Sequence, residues 1–255
     1  MSSVTDFPLL VFAVALVVLW GSIRLGVILS SRFGTLQEDV RKDLETVQAA
    51  SLTLLGLLIG FAFSMAVSRY EERKTYEGAE ANAIGTEYVR ADLLPAADGT
   101  KVRALLRDYL EQRMQFYVAR DAQQVRQINA RTARLEAQLW SDVVTSAAAQ
   151  PTSMVVLAIS GMNELFNSRG YAVAARQNRI PVASWSLLTV VAVICALLLG
   201  FGARGAQGER MLALVVPLTI SVAFLLIAEI DSPASGVIRV IPENLAALSS
   251  SLSPR

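Results

Sequence analysis

One face of the second apolar segment carries residues that could let an ion cross a membrane. On a helix that turns about 100° per residue, its small and polar side chains point in one direction and bulky apolar ones point away from it. Repeated around the axis of an oligomer, such a face lines a narrow pore with Leu57 or Phe61 as an apolar constriction. The predicted pore-lining residues are Thr53, Leu57, Gly60, Phe61, Ser64 and Ser68.

The same face allows a second interpretation. Gly56, Gly60 and Ser64 are spaced four apart, and small residues at this spacing let another helix pack closely in a membrane. The sequence leaves both interpretations open. Just beyond the segment, Glu71 continues the direction of the small face, so that at a pore mouth it would favour cations. The mixed charges of residues 69–74 are otherwise expected to form a solvated face.

Enzymatic chemistry has little support in this sequence. The chain has no histidine, which excludes His-dependent triads and His-ligated metal sites. Its single cysteine, Cys195, lies in an apolar run and reads as a small buried residue. Glu71 and Glu72 could act as an acid and base pair, but no pocket-building motif accompanies them. We therefore predict no catalytic residue, metal site or cofactor.

The composition places the chain in a membrane. Of its 255 residues 53% are hydrophobic and 18% are charged, and the mean hydropathy is +0.45, which is too apolar for a soluble domain of this size. With 23 basic and 22 acidic residues, it has no general nucleic-acid footprint, so no nucleic-acid partner is expected. Apolar runs predict four spans, at about residues 7–29, 49–67, 182–203 and 211–228.

The second span is predicted to continue into a long soluble helix, from about Glu45 to Pro95. The connection before it, residues 30–44, is expected to hold a turn at Gly34 and the first turns of this helix. Its apolar part is about 28 Å long at the helical rise, and the charged part would extend roughly 40 Å further. Pro95 and an Asp98-Gly99 turn are expected to end it. Helical spacing then predicts helices at about residues 100–120, with Thr100 as N-cap, 125–148 and 152–178.

These elements predict an all-α integral membrane protein. Four transmembrane helices form two pairs, and a helical soluble domain is inserted between spans 2 and 3. The predicted domains are residues 1–68 (first pair), 69–180 (helical domain), 181–231 (second pair) and 232–255 (tail). Residues 204–210 are expected to link the last two spans, residues 232–242 to be extended, and the Ser-rich end from 249 to be loose.

Two stretches of the chain resemble a known family. The run from Leu57 to Tyr70, continuing into residues 80–95, is similar to the bestrophin-like family of bacterial membrane proteins, and residues 231–238 match its pattern as well. Similarity to true bestrophins is limited to Gly60-Phe61, Arg69 and the plan of four spans. The residues that match the family signature are Arg69, Glu80, Asn82, Gly85, Arg90, Pro95, Asp231, Pro233 and Gly236.

The resemblance implies a channel. Bestrophins are pentameric anion channels whose second span lines an apolar neck, which would place Leu57 and Phe61 in the neck and Thr53 one turn earlier. This sequence lacks an evident acidic calcium-clasp cluster, and its soluble domain is short. The bestrophin plan also implies that the protein lies in the bacterial inner membrane with its helical domain in the cytoplasm. The basic residues in the short loops favour the opposite sidedness, because Lys and Arg are more frequent in cytoplasmic loops; they are Arg32, Arg41, Lys42, Arg204 and Arg210. We nevertheless expect the helical domain to be cytoplasmic.

The leading hypothesis is an oligomeric channel-like membrane protein that conducts ions along a central path lined by the second span. Its expected partners are the lipid bilayer, further copies of the same chain, as a pentamer by resemblance, and ions. The alternative is a non-conducting membrane sensor or scaffold whose helical domain binds a partner or ligand.

Overall fold

The computed structural model describes residues 7–33, 38–203, 205–234 and 236–252, and these contain eight helices and no strand. The helices are α1 (Pro8–Phe33), α2 (Glu38–Arg90), α3 (Ala96–Val118), α4 (Ala122–Ala149), α5 (Ser153–Gln177), α6 (Val182–Gly202), α7 (Gly205–Asp231) and α8 (Glu243–Leu252). A short 3-10 turn, Ala91–Leu93, follows α2. The all-α prediction is confirmed, as is the continuation of the second span into one long helix.

The chain divides into two compact units. The membrane unit comprises residues 1–68 and 179–238, and the helical unit comprises residues 69–178 and 239–255. Four helical segments among the described residues are long and apolar enough to cross a membrane: Pro8–Arg32, Glu38–Leu93, Ser153–Gly202 and Ala213–Asp231. They include the four predicted spans, which correspond to α1, the first half of α2, α6 and α7.

In the membrane unit, α1 packs on both α6 and α7. Two glycines lie where α1 crosses α6: a Cβ on Gly26 would overlap the backbone oxygen of Leu197, and a Cβ on Gly200 would overlap that of Ile23. The two backbones therefore touch, which only small residues permit. Cys195 is buried in α6, as its apolar surroundings predict.

The helical unit has one apolar core, to which α2, α3, α4, α5 and α8 all contribute. Side chains cap two of these helices. The Asp121 carboxylate accepts hydrogen bonds from Gln123 N and Gln124 N, both at 3.1 Å, at the start of α4, and Thr152 Oγ1 accepts one from Val155 N at 3.3 Å at the start of α5. The fully buried core side chains include Ile84, Leu106, Leu139, Met162, Leu165 and Leu245.

The predicted C-terminal end of the long helix and the start of the next are wrong by several residues, whereas its first turns lie in the connection 30–44, as expected. The α-helix α2 begins at Glu38 and ends at Arg90. Pro95 is the N-cap of α3, and Asp98 and Gly99 lie inside that helix and not in a turn. Thr100 is not a cap, because its hydroxyl donates to Ala96 O at 2.8 Å within the helix. A Cβ on Gly99 would overlap the oxygen of Ala91, so this glycine serves close packing.

Two connections also differ from expectation. Helix α7 already begins at Gly205, within the predicted link 204–210, whereas Arg204 and the turn expected at Gly34 lie outside the described residues. The tail contains α8, so the prediction that the Ser-rich end is loose is wrong up to Leu252. The sequence signal of α8 is weak because it is short and rich in serine, and Leu245 stabilises it by packing into the core of the helical unit.

Candidate functional site

The predicted pore face lies on the first half of α2, and its residues are exposed. Leu57 and Phe61 keep 54% and 61% of their surface exposed, whereas Leu55 and Ala66, on the other side of the helix, keep 2% and 0%. The remaining members of the face, Thr53, Gly60, Ser64 and Ser68, are exposed as well. The helix therefore buries Leu55 and Ala66 and leaves its small, polar face uncovered, together with the bulky side chains of Leu54, Phe63 and Met65.

The small residues of this face do not serve packing inside the chain. A Cβ added to Gly56 or Gly60 would meet nothing within 4 Å. The second span also has the smallest buried share, 11%, of the four membrane-crossing segments, which otherwise range from 28% to 44%. In the part of the chain that the structure describes, no helix occupies the space beside Gly56 and Gly60.

The charged residues that follow the pore face are only partly solvated. Glu71, the predicted pore-mouth residue, is exposed. Arg73 is buried, and its Nε donates to Arg69 O at 3.1 Å. The expectation of a fully solvated face with mixed charges is therefore wrong at Arg73.

The second half of α2 presents three buried glutamates, Glu77, Glu80 and Glu87, to the interior of the helical unit. The first of them holds the C-terminal helix. Its carboxylate accepts hydrogen bonds from Leu245 N at 2.9 Å and from Asn244 Nδ2 at 2.6 Å. An anion at the first turn of α8 satisfies a free amide and interacts favourably with the helix dipole.

Glu80 pairs with Arg113 of α3, and both side chains are completely buried. The carboxylate accepts hydrogen bonds from Arg113 Nε, from Arg113 Nη2 at 3.3 Å and from the Tyr117 hydroxyl at 3.1 Å. Burial acts to lower the pKa of Arg113, but the Glu80 carboxylate outweighs it and the pKa is raised. For Tyr117, burial and the same carboxylate raise the pKa of the hydroxyl, so it stays protonated and donates.

A second ion pair lies beside the first. Glu136 of α4 accepts hydrogen bonds from Arg169 Nη1 at 2.7 Å and from the Tyr109 hydroxyl at 3.4 Å. Burial raises the pKa of Glu136, and the arginine opposes that shift. The Arg113 guanidinium carbon also lies 4.2 Å from the centre of the Phe116 ring, a favourable cation and aromatic contact. Ion pairs and hydrogen bonds therefore connect α2, α3, α4 and α5.

Glu87 faces α5, and it has the weakest set of partners of the three glutamates. Its side chain is 1% exposed, and neither carboxylate oxygen has a hydrogen-bond partner among the described residues. Arg90 Nη1 lies 3.9 Å from Glu87 Oε2 and also 3.9 Å from Glu164 Oε2. Burial raises the pKa of Glu87 to about 8, with Arg90 lowering it and Glu164 raising it.

The signature residues of α2 lie mostly at contacts between helices. Glu80 pairs with α3, and Arg90 lies between Glu87 and α5, as described above. A Cβ on Gly85 would come to 3.1 Å from Leu248 Cδ1 of α8. Asn82 is exposed, and the structure gives it no role.

The signature residues near the end of α7 fix the chain where it leaves the membrane unit. The buried Asp231 carboxylate accepts a hydrogen bond from Ile180 N at 3.1 Å, just before α6. Pro233 lies in the following turn. Gly236 is buried, and a Cβ there would overlap the oxygen of Glu229, whose carboxylate accepts a hydrogen bond from Val237 N. The segment is therefore held by close packing of Gly236 against the backbone of α7 and by the hydrogen bond to the Glu229 carboxylate.

Sequence reasoning missed Glu77, Glu87 and Arg113. A wheel of the second half of α2 places Glu77 and Glu87 on the side of the buried Ile84 and Ala91, and acidic residues on an apolar face are the signal that could have found them. Among the described residues, no group of three or more His, Cys, Asp or Glu side chains could hold a metal ion.

Comparison with known proteins gives a family and a fold. The model of the bestrophin-like domain matches residues 10–245 of the chain. No curated protein matches it. Two structures of point variants of a bacterial bestrophin homolog from Klebsiella pneumoniae superpose with TM-scores of 0.65 and 0.66 at 17% and 16% identity, covering 94% of this chain and 97% and 93% of theirs. The structure of this homolog solved by Zn-SAD phasing gives a TM-score of 0.63 at 17% identity, covering 94% and 95%.

Proposed function

Because the chain belongs to the bestrophin-like family, we propose that it is an oligomeric membrane channel without enzymatic activity. Ions pass along a central path lined by the first half of α2, with Leu57 and Phe61 as an apolar constriction. Thr53, Gly60, Ser64 and Ser68 line the rest of the path, and Glu71 lies at its mouth.

The uncovered small face of α2 supports this proposal. A face with open space around Gly56 and Gly60 and exposed side chains at Leu57 and Phe61 needs a partner or a water-filled path. The Thr53 hydroxyl donates to Ala49 O at 2.9 Å within the helix, and its remaining acceptor capacity is better met by water than by hydrocarbon. Copies of the same helix around an axis satisfy both needs, since small residues allow close approach and hydroxyls face water.

The plan of the bestrophins extends the proposal to assembly and location. We place the protein in the bacterial inner membrane as a pentamer, with the helical unit in the cytoplasm. Apart from its own copies, its partners are the lipid bilayer and the ions it conducts.

Ion flux tests the proposal directly. Purified protein in liposomes is expected to pass ions, and Ser64→Trp is expected to reduce that flux by at least tenfold because it fills the path. Ile59→Trp is the matched control, since Ile59 lies about 140° around the helix from Ser64, and its flux should stay within about twofold. Liposomes that contain folded, oligomeric protein and pass no ion under any gating condition would contradict a channel and favour the sensor or scaffold.

Cross-linking tests the position of the face separately. In a Cys195→Ala background, Ser64→Cys is expected to form disulfide-linked dimers on oxidation, because copies of the residue approach one another around the axis. Ile59→Cys should remain monomeric on a denaturing gel. The reverse result, with Ile59→Cys linked and Ser64→Cys free, would place the uncovered face away from the axis.

A further inference from the structure

We propose that Glu87 is a proton-binding switch that controls how tightly α5 packs on α2. The proposal concerns the helical unit alone and does not depend on whether the protein conducts ions.

Ionisation of the Glu87 carboxyl group is unfavourable in this site. Its side chain is 1% exposed, and among the described residues no donor forms a hydrogen bond to either carboxylate oxygen. A buried carboxylate without hydrogen-bond donors is costly when ionised, and it takes up a proton instead. The value of about 8 for its pKa agrees with this geometry.

Helix α5 is the element that meets this carboxyl group. A Cβ on Gly161 would overlap both Glu87 Oε2 and Arg90 Nη1, so α5 lies directly against the ends of these two side chains. Moving α5 away from α2 would give an ionised Glu87 access to water. Protonation therefore favours the closed contact, and ionisation favours an open one.

Two charged groups set the strength of the switch. Arg90, on the same helix, lowers the pKa of Glu87, and Glu164, on α5, raises it. The turn that follows α2 also packs on α5, but its Asp92 is paired with Arg103 of α3. Arg90 Nη1 lies 3.9 Å from both Glu87 and Glu164, so the two carboxyl groups compete for one guanidinium.

The lack of histidine makes this site important for any response to pH near neutrality. Histidine is the side chain whose ordinary pKa lies there, and this chain has none. A response of the helical unit between about pH 5 and pH 8 must then come from groups with shifted pKa values, and Glu87 lies in that range.

The sign of the effect follows from proton linkage. Below the ordinary pKa of a glutamate, 4.5, both the closed and the open form carry the proton, and the contact has its full stability. As the pH rises toward about 8, the open form loses its proton first, so the contact weakens by about tenfold per pH unit. Above that pH both forms are ionised, and no further loss occurs.

Hydrogen exchange of the full-length protein in detergent tests the proposal. The protection of amides in residues 156–166, corrected for the intrinsic pH dependence of exchange, is expected to fall about tenfold per pH unit between pH 5 and pH 8 and then to level off. Glu87→Gln should remove this dependence, because its neutral amide cannot ionise. Protection that is independent of pH in the unmodified protein, or the same slope in Glu87→Gln, overturns the proposal.

Two further variants keep the test decisive if Glu87→Gln does not fold. Glu164 is 71% exposed, so Glu164→Gln should fold normally and move the levelling-off point to lower pH, since it removes a charge that raises the pKa of Glu87. Arg90→Gln should move that point to higher pH. The proposal is overturned if the pH at which protection levels off stays unchanged in both variants, or if it moves in the same direction in both.

Discussion

Arg113 and Glu80 form the most deeply buried ion pair in the described part of the chain, with no exposure of either side chain. Taking two charges out of water is costly, and the pair balances that cost only while both members are present and bonded. The sequence signature includes Glu80 but could not predict its partner, because Arg113 lies 33 residues away and the pairing depends on how α3 packs on α2. Glu87 was missed for a related reason: its unusual pKa arises from burial under α5.

Removing one member of this pair should strongly destabilise the helical unit. We expect Arg113→Met to lower the free energy of unfolding by about 3–5 kcal/mol, because Glu80 is left buried without its counter-charge. Thermal or denaturant unfolding in detergent measures the loss. Arg103→Gln is the control, since its ion pair with the 66% exposed Asp92 lies at the surface, and it should cost less than about 1 kcal/mol. Equal losses in the two variants would contradict this account.

At the scale of the helices, the spacing of apolar residues predicted which helices are present better than it predicted where each helix begins and ends. The four spans and the three soluble helices α3, α4 and α5 follow from apolar spacing, and the uncovered face of α2 was visible on the helical wheel. The positions of the helix ends depend on contacts between helices, which the spacing of apolar residues does not show. Gly99 reads as a helix stop, yet it lies within α3 because α3 must approach Ala91 closely. Likewise, Gly26 and Gly200 gave no sequence signal, since they lie on different helices.

The crossing of α1 and α6 allows a prediction with an internal control. Gly26→Ala should lower the free energy of unfolding of the membrane unit by about 1–3 kcal/mol, because the new Cβ overlaps the backbone of α6 and one helix must shift. Gly21→Ala, in the same helix, meets nothing within 4 Å and should be neutral or slightly stabilising. In a Trp140→Phe background, unfolding in detergent followed by the fluorescence of Trp20 and Trp185 measures the difference. A loss at Gly21 as large as that at Gly26 would contradict this account, because the overlap with α6 could then not be its cause.

At the scale of the whole molecule, the chain builds each unit from two separate stretches of sequence. The helical unit takes residues 69–178 and then, after α6 and α7, residues from 239 onward. The division into domains that the sequence predicts treats the last stretch as a tail, because a ten-residue, Ser-rich segment gives little indication of the core it will join. Glu77, Gly85 and Leu245 are the contacts that attach it.

The contribution of α8 can be measured with one substitution. Leu245→Ala should destabilise the helical unit by about 2–5 kcal/mol, because it leaves a cavity at a fully buried position. The matched control is Ile241→Ala, four residues earlier in the same stretch and 66% exposed, which should change stability by less than about 0.5 kcal/mol. Limited proteolysis should cut the Leu245→Ala protein first within or next to α8, and a protein as resistant as the control would mean that α8 is not needed for the fold.

The two-part construction of the helical unit also determines the order in which the protein can be made. Synthesis proceeds from the N-terminus, so residues 69–178 are synthesised before α6, α7 and α8. Their core has a vacant position for Leu245, and the Glu77 carboxylate lacks its partners in α8, until α8 has been made. The spans α6 and α7 are therefore synthesised while the helical unit is unfinished, and the ten-residue helix α8 completes it.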